Sequence, residues 1–176
     1  MAPTPHPDLP ANQPAADEVD AVLAAWERER PDLDVSPLGV FSRVSRLARL
    51  LDIARREAFG AGGLEAWEFD VLSALRRAGT PYELSPGALV AQTLVTSGTM
   101  TNRIDRLTAR GHVEREPSPT DRRGVIVRLT PRGQEAVDAA MELLLAHEQE
   151  LLAALTPDDR EHLAATLRQV LTGLEG

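Results

Sequence analysis

The sequence predicts a mainly α-helical protein with one small β-hairpin, and three observations support that prediction. Apolar residues recur every three or four positions through most of the chain, which is the spacing of amphipathic helices. Two short segments, residues 112–116 and 125–130, have the composition of strands, and the second alternates its side chains as a strand does. Proline or glycine stands at the ends of most segments, where helices and strands are expected to stop.

The composition limits the class of protein. A length of 176 residues with 43% hydrophobic and 26% charged residues fits one globular domain. The absence of cysteine excludes disulfides, cysteine-ligated zinc and a thiol nucleophile. The sequence contains neither an apolar run of membrane-spanning length nor the features of a signal peptide at its N-terminus. We therefore expect a cytoplasmic protein with no membrane partner.

Three helices are predicted in the first half of the chain. Residues 16–30 carry acids in the first turn and arginines in the last, which suits the helix dipole. Residues 36–60 form a longer helix, with Ser36 as its N-cap and Pro37 as its first residue. Residues 64–79 form a third helix, and the turn "TPYEL" follows it.

The centre of the chain has the pattern of a helix-turn-helix. Residues 85–92 and 96–111 read as two short helices separated by "TLV". The two predicted strands come next, joined by the turn "PSPTDRRG". A hairpin beside a helix-turn-helix is a winged helix, which is the fold that we predict.

Two Leu- and Ala-rich helices end the chain. Thr130 and Pro131 begin the first of them, and Thr156 with Asp159 forms a capping box for the second. Together with the first helices they offer more apolar surface than a small winged helix buries alone. The predicted organisation is a disordered proline-rich tail at residues 1–15 and a single winged-helix domain at 16–176, with dimerisation helices at 16–60 and 131–176 and a DNA-binding lobe at 64–130.

Positive charge is concentrated in one window of an acidic protein. Residues 97–133 hold eight arginines against four acids, a net charge of +4, whereas the remainder holds 11 arginines against 23 acids, a net charge of −12. Such a cluster is expected of a surface that binds phosphates. The sequence therefore predicts double-stranded DNA as a partner.

The second short helix is the candidate recognition helix. If Ile104 faces inward, Met100 and Leu107 share its face, because successive residues are about 100° apart. Polar side chains suited to base edges then face outward, and Arg103 lies on the flank. The predicted DNA-binding residues are Ser97, Thr99, Thr101, Asn102 and Arg106 on this helix, with Arg122 and Arg123 at the hairpin tip.

The segments "DRRGVIVRLTPRGQE" and "TSGTMTNRIDRLTARGHVERE" resemble the wing and the recognition helix of the MarR family of bacterial transcriptional regulators. The resemblance covers the chain from about residue 16. It implies a homodimeric, ligand-responsive DNA-binding regulator, which we expect to be a repressor.

A narrower resemblance concerns the urate-responsive subgroup of that family, which has an added N-terminal helix. It rests on "WERERPDLDVSP", "EFDVLSALRRAG" and "MTNRIDRL". It implies that Trp26, Asp70, Arg103 and Arg115 bind a small organic anion, either a purine such as urate or a di- or tricarboxylate. Ordinary packing for Trp26, an ion pair between Asp70 and Arg103, and a phosphate contact for Arg115 are the alternatives, and Trp67 is expected in the core or an interface.

No enzyme motif occurs in the sequence, so we expect neither an enzyme nor a cofactor. His147 and His162 lie near acids, but no compact set of metal ligands emerges. Two alternatives to the ligand-responsive regulator stay open at this stage: a winged-helix protein-interaction module without DNA binding, and a metal-sensing regulator.

Overall fold

The computed structural model describes residues 16–118 and 124–174. The predicted tail at residues 1–15 lies outside the described residues, as do Arg122 and Arg123. Within the described ranges the elements are, in chain order, α1 (Glu18–Glu29), α2 (Ser36–Ala61), α3 (Ala66–Arg77), β1 (Glu83–Leu84), α4 (Pro86–Thr93), α5 (Ser97–Ala109), β2 (Val113–Pro117), β3 (Val125–Leu129), α6 (Pro131–Leu151) and α7 (Pro157–Leu174). This mainly helical architecture with a small antiparallel sheet confirms the predicted fold class.

The chain divides into two compact units, residues 1–50 and 51–176, and the division falls inside α2. In the first unit, α1 and the beginning of α2 are joined by ion pairs. Arg43 donates to Asp17 at 2.9 Å and to Asp20 at 2.7 Å, and Arg46 pairs with Glu18. These groups are exposed to solvent, which screens them, so the pairs contribute little to the stability of the fold. The prediction of a single domain stays a prediction.

The start of α2 differs from the prediction. Ser36 is the first residue of the helix rather than its N-cap. The side chain of Asp34 accepts a hydrogen bond from the Ser36 amide at 3.0 Å, so an aspartate two residues earlier satisfies one of the free amides at the helix start. For α1, Asp17 and Asp20 form a capping box, as acids in a first turn suggest.

The second unit contains the hydrophobic core. Residues from α3, α4, α5 and β3 are fully buried there, including Leu72, Leu89, Ile104 and Val127. The helix starts are fixed by local hydroxyl caps, since Ser85 accepts from the Ala88 amide at 3.2 Å and Thr96 from the Thr99 amide at 3.2 Å. These caps confirm the predicted starts of the two short helices, whereas their ends fall at Thr93 and Ala109 rather than at 92 and 111.

The sheet has three strands rather than two. β1 pairs antiparallel with β3 inside the segment predicted as the turn "TPYEL", and the strand order is β1-β3-β2. Arg128 of β3 crosses the sheet and donates to Glu83 at 2.7 Å and to Glu116 at 2.8 Å. Two residues are too short a run to show strand periodicity, so only pairing with a distant strand defines β1.

The junction between the wing and α6 is tightly packed. Thr130 caps α6 by accepting from the Gly133 amide at 3.0 Å, and its hydroxyl donates to the Gly111 carbonyl at 2.8 Å. A Cβ at Gly133 would overlap the carbonyl oxygen of His112. The Leu-Thr-Pro-x-Gly segment is therefore a close backbone contact that only glycine permits.

The last helices follow the prediction with one difference at a boundary. α6 ends at Leu151, four residues earlier than the predicted 155. Thr156 accepts from the Asp159 amide at 3.2 Å, while the Asp159 carboxylate accepts from the Thr156 amide at 3.3 Å. This reciprocal pair is the predicted capping box. Among the described residues, no helix combines the length and the apolar character needed to cross a membrane.

Candidate nucleic-acid interface and ligand cavity

The recognition helix α5 has the orientation that its periodicity predicts. Met100, Ile104 and Leu107 are buried, whereas Thr99 and Asn102 are exposed. Of the other predicted DNA-binding residues on this helix, Ser97 and Thr101 are exposed as well, and the Thr101 hydroxyl donates to the Ser97 carbonyl at 3.0 Å. α5 therefore presents amide and hydroxyl groups on a face that the rest of the lobe does not cover.

The side chain of Arg106 is exposed to solvent, but contacts with two neighbouring side chains restrict its position. Its Nη2 donates to Glu65 at 2.7 Å, and its guanidinium lies over the ring of Trp67, 4.6 Å from the ring centroid. The indole nitrogen of Trp67 donates to the other oxygen of Glu65 at 2.7 Å. Both contacts lower the pKa of the Glu65 carboxyl, the Trp67 hydrogen bond more strongly, so the group stays charged at neutral pH.

Arg103 shares the same aromatic platform. Its guanidinium lies 5.5 Å from the centroid of the Trp67 ring, and its side chain is half-buried as a flank position should be. The surface here encloses an open cavity of about 450 Å³, lined by Trp67, Gly98, Thr99, Asn102, Arg103 and Arg106. Cation–π contacts of this kind are each worth about 0.5–1 kcal/mol at exposed sites.

The C-terminal end of α5 is attached to α3 by a buried carboxylate. Arg110 pairs with Glu68, which is 0% exposed, and its Nη2 also donates to the Gly63 carbonyl at 2.6 Å. Beside them His112 is buried. Within the described residues, neither of its ring nitrogens has a hydrogen-bond partner. Burial lowers the pKa of His112, and the nearby charges of Arg110 and Arg132 lower it further.

Arg115 lies on the opposite flank of α5. It pairs with Asp105 at 2.7 Å, and its Nη2 donates to the Thr101 carbonyl at 3.4 Å. This residue therefore ties the first strand of the wing to the middle of the recognition helix.

Asp70 lines a different cavity, between α2, α3 and α6. Its volume is also about 450 Å³, and its charged lining consists of Asp70, Asp52, Arg55 and Arg56. The rings of Phe59 and Phe69 form part of its wall and stack with centroids 4.1 Å apart. The two guanidiniums can pair with a carboxylate beside flat apolar walls, while the two aspartates leave the charged lining with no net positive charge.

Comparison with known proteins gives a consistent family. A model described as "MarR family" matches residues 62–124. The chain is 37% identical to the HTH-type transcriptional regulator PecS of Dickeya dadantii, over 87% of this chain and 92% of that protein. It is 31% identical to the multiple antibiotic resistance protein MarR of Escherichia coli, over 75% of this chain and 95% of that protein. The chain belongs to the MarR family of transcriptional regulators.

Solved structures of other MarR-family proteins agree with this assignment. A cysteine-to-serine mutant of E. coli MarR, solved in complex with operator DNA, matches 83% of this chain and 97% of its own with a TM-score of 0.64 and 28% identity. BpsR of Bordetella bronchiseptica, whose DNA binding is regulated by 6-hydroxynicotinic acid, matches 74% of this chain and 91% of its own with a TM-score of 0.61 and 28% identity. As a MarR-family regulator, the chain is not an enzyme, as the sequence predicts.

The structure of this MarR-family chain gives the predicted ligand residues different surroundings. Asp70 lines the α2–α3–α6 cavity, Arg103 lies over Trp67, and Arg115 pairs with Asp105. In residues 16–118 and 124–174, no ion pair joins Asp70 to either arginine. Trp26 belongs to the first compact unit and is 47% exposed.

Several residues at these two sites were not predicted from the sequence. Arg55 and Arg56 line the cavity of Asp70, and Glu65 with Trp67 holds Arg106. Paired arginines on a helix and an acid at a helix start are common features of solvated surfaces, so neither is a specific signal. Trp67 was expected in the core or an interface, and it packs partly against the core.

Several arginines of residues 97–133 are paired with carboxylates, so this segment offers less free positive charge than its net charge indicates. Arg106 and Arg110 pair with Glu65 and Glu68, while Arg128 pairs with Glu83 and Glu116. Three of these carboxylates lie outside residues 97–133, so a count along the sequence misses them. In the described part of the chain, no group of three or more histidines, aspartates and glutamates is placed to hold a metal ion.

Proposed function

We propose that this MarR-family chain is a cytoplasmic repressor that binds a pseudo-palindromic operator as a homodimer and is released from it by a small organic anion. The observation that carries the DNA-binding part is the exposed polar face of α5, with Thr99, Asn102 and Arg106 above a buried apolar face. Asparagine and arginine are the side chains best suited to adenine and guanine edges. The E. coli MarR complex with operator DNA supports the same use of the fold.

Unburied leucines and valines support the homodimer. α7 contains no buried residue, and Leu163, Leu167, Val170 and Leu171 all remain exposed. A second copy of the chain would cover such a face and place two recognition helices in successive major grooves, about 34 Å apart.

A mobility-shift titration with the DNA upstream of its own gene tests operator binding. We expect a salt-sensitive, sequence-selective complex. Asn102→Ala or Arg106→Ala should weaken it and relax its sequence preference, while Arg122→Ala or Arg123→Ala should weaken binding to all sequences. Arg28→Ala, on α1, removes an exposed arginine of the first unit and is the control. Binding that ignores sequence, or no binding at moderate salt, would exclude a repressor of this kind.

For the ligand, we propose a purine such as urate, or a di- or tricarboxylate, bound in the cavity that Asp70 lines. The Asp70 cavity supports this because Arg55 and Arg56 can pair with an anion while Phe59 and Phe69 provide flat walls. The regulation of BpsR by 6-hydroxynicotinic acid shows that a small aromatic acid controls DNA binding in another protein of this fold. Trp26, Arg103 and Arg115, which do not line this cavity, remain proposed ligand contacts through the family resemblance.

A thermal-shift screen of purines, phenolic acids and small carboxylates tests the ligand, followed by DNA release with each compound that binds. Ligand binding should raise the melting temperature, since it stabilises only the folded state. Arg103→Ala should abolish DNA release. Comparing it with Arg55→Ala and Arg56→Ala identifies the arginines that hold the anion. If all these substitutions and Asp70→Asn left the response intact, the proposed pocket would be wrong.

A further inference from the structure

We infer that Trp67 and Glu65, at the start of α3, are positioning residues that hold Arg106 in its base-reading geometry. This inference rests on the proposed function, because it assigns Arg106 to a base edge in the operator. It extends the DNA interface beyond α5 and the wing to two residues of another helix that need not touch DNA themselves.

Each of the three side chains contacts the other two, and Arg103 lies over the same indole, 5.5 Å from its centroid. Trp67 donates its indole N–H to one oxygen of Glu65, and Arg106 donates to the other, both at 2.7 Å. The guanidinium of Arg106 also lies over the indole, 4.6 Å from its centroid. Each member therefore restrains the other two, although Arg106 and Glu65 are both about half exposed.

The position of Trp67 is itself restrained by packing against the core. Its side chain packs against the buried hydrophobic cluster of the second unit. The backbone amide of Glu65 donates to Glu68 at 2.9 Å, and Glu68 also pairs with Arg110 at the far end of α5. The start of α3 is thus attached to α5 at two positions about one helical turn apart.

Both contacts leave N–H groups of Arg106 available for hydrogen bonds to a base. A guanidinium has five N–H groups, and Glu65 takes one of them, on Nη2. Stacking on Trp67 occupies a face of the group, whereas hydrogen bonds to a guanine lie in its plane. The arrangement therefore restricts the rotamers of Arg106 without using its recognition capacity, which reduces the entropy lost on binding.

The alternative is that Glu65 masks Arg106 and competes with DNA for it. The two roles predict opposite effects on DNA affinity when the residue is substituted. Loss of a positioning residue lowers the ratio of specific to nonspecific affinity, whereas loss of a mask raises specific affinity. The monodentate contact and the free edge of the guanidinium favour positioning.

The test uses the full chain and measures fluorescence anisotropy with two duplexes of equal length, one selected by the wild-type protein from a random pool and one of unrelated sequence. Trp67→Leu should lower the ratio of specific to nonspecific affinity by roughly 5- to 150-fold, the discrimination that one arginine–guanine pair supplies. Trp67→Phe keeps a flat ring and should retain the ratio within about 3-fold. Glu65→Gln should fall between them, because it keeps an acceptor oxygen but loses the charge-assisted bond.

A double-mutant cycle separates positioning from general damage to the lobe. If Trp67 acts through Arg106, Trp67→Leu should have little further effect on the ratio in an Arg106→Ala background. The slope of log affinity against log salt should stay that of the wild type in Trp67→Leu, since no phosphate contact is removed. Asp138→Asn, which breaks the pair between Asp138 of α6 and Arg76 at the other end of α3, is the matched control and should leave the ratio unchanged.

Additive effects in the cycle, or a rise in specific affinity in Glu65→Gln and Trp67→Leu, would overturn the inference while the proposed function stands. A Trp67→Leu protein that loses equal affinity for both duplexes would also overturn it. If the wild-type chain selects no duplex from the pool, the proposed function fails and this inference fails with it.

Discussion

Leucine side chains are buried in the winged-helix lobe but exposed in helix α7. Leu72 in the lobe is 0% exposed, and the other leucines of its core are similarly buried. Leu171 in α7 is 58% exposed, and α7 has no buried residue at all. Both segments have helical apolar spacing, so periodicity alone does not distinguish a face that the chain buries itself from one that needs a partner.

The difference shows which part of the fold one chain completes. The lobe closes its core with residues from α3, α4, α5 and β3. α7, and separately the beginning of α2, carry large apolar side chains at the surface, such as Phe41 at 56% exposed. Exposed apolar patches on this scale indicate an interaction surface, which is why we assign α7 to a second copy of the chain.

The largest effect is expected from a charge placed on the exposed face of α7. Leu167→Asp combined with Leu171→Asp should convert a dimer to a monomer, because an unpaired carboxylate in an apolar interface is strongly unfavourable. Operator affinity should fall by at least about 100-fold as the second half-site contact is lost. Sedimentation velocity measures the assembly state. Leu94→Asp, at a 92% exposed position of the lobe, is the control, and an α7 variant that stays dimeric would show that α7 is not the interface.

A matched leucine truncation sharpens the comparison. Leu72→Ala should lower the free energy of unfolding by about 2–5 kcal/mol, through lost burial and the cavity left behind. Leu171→Ala should have a smaller effect that grows with protein concentration, because its contacts come from a second chain. Urea unfolding at two protein concentrations measures both. Equal, concentration-independent losses would contradict the assignment.

An intermediate loss of stability is expected from a substitution at the junction between the wing and α6. Gly133→Ala should destabilise the lobe by roughly 1–3 kcal/mol, because the new Cβ overlaps the His112 carbonyl and the backbone must move. Gly98→Ala in α5 is the matched control. A Cβ there meets nothing within 4 Å, so the substitution should be neutral or stabilising by up to about 1 kcal/mol. Thermal unfolding followed by circular dichroism compares the two, and equal stability for both variants would contradict the tight junction.

The smallest effect concerns the buried His112. Its pKa is lowered in the folded state, so on acidification the unfolded chain takes up a proton that the folded chain resists. Stability contributed by the neutral imidazole is therefore present near pH 7.5 and lost below about pH 6.5, by at most about 1.4 kcal/mol per pH unit. Urea unfolding between pH 7.5 and 5.5 should show this slope in the wild type and less of it in His112→Gln, with His162→Gln as the control. An unchanged slope in His112→Gln would contradict the role of His112.

Much of the local structure is predictable from the sequence because it depends on neighbours within one helical turn. The caps Asp17, Ser85, Thr96 and Thr130 all bond amides two or three residues away. The buried face of α5 follows from helical spacing, and Gly133 follows the Thr-Pro that begins α6. The predicted N-cap at Ser36 was wrong because Ser36 is already the first helical residue, and the side chain of Asp34, two residues earlier, accepts from its amide.

The prediction of two strands was wrong because the additional strand depends on contacts between residues that are far apart in the sequence. β1 is defined by its pairing with β3, more than 40 residues later in the chain. The same holds for Arg128, whose partner Glu83 is 45 residues away, and for Arg106, whose partner Glu65 is 41 residues away. A net charge summed along the sequence misses these pairs.

The sequence by itself determined the order of the helices, most of their caps and which side of the recognition helix is buried, because hydrogen bonds and apolar spacing within a turn decide them. Only the tertiary structure decided which carboxylate each arginine meets, that Asp70 lines a cavity with Arg55 and Arg56, and that Trp67 lies under Arg106. Those contacts join residues that are adjacent only after the chain has folded, and several acids and arginines in this sequence could have satisfied the same local rules.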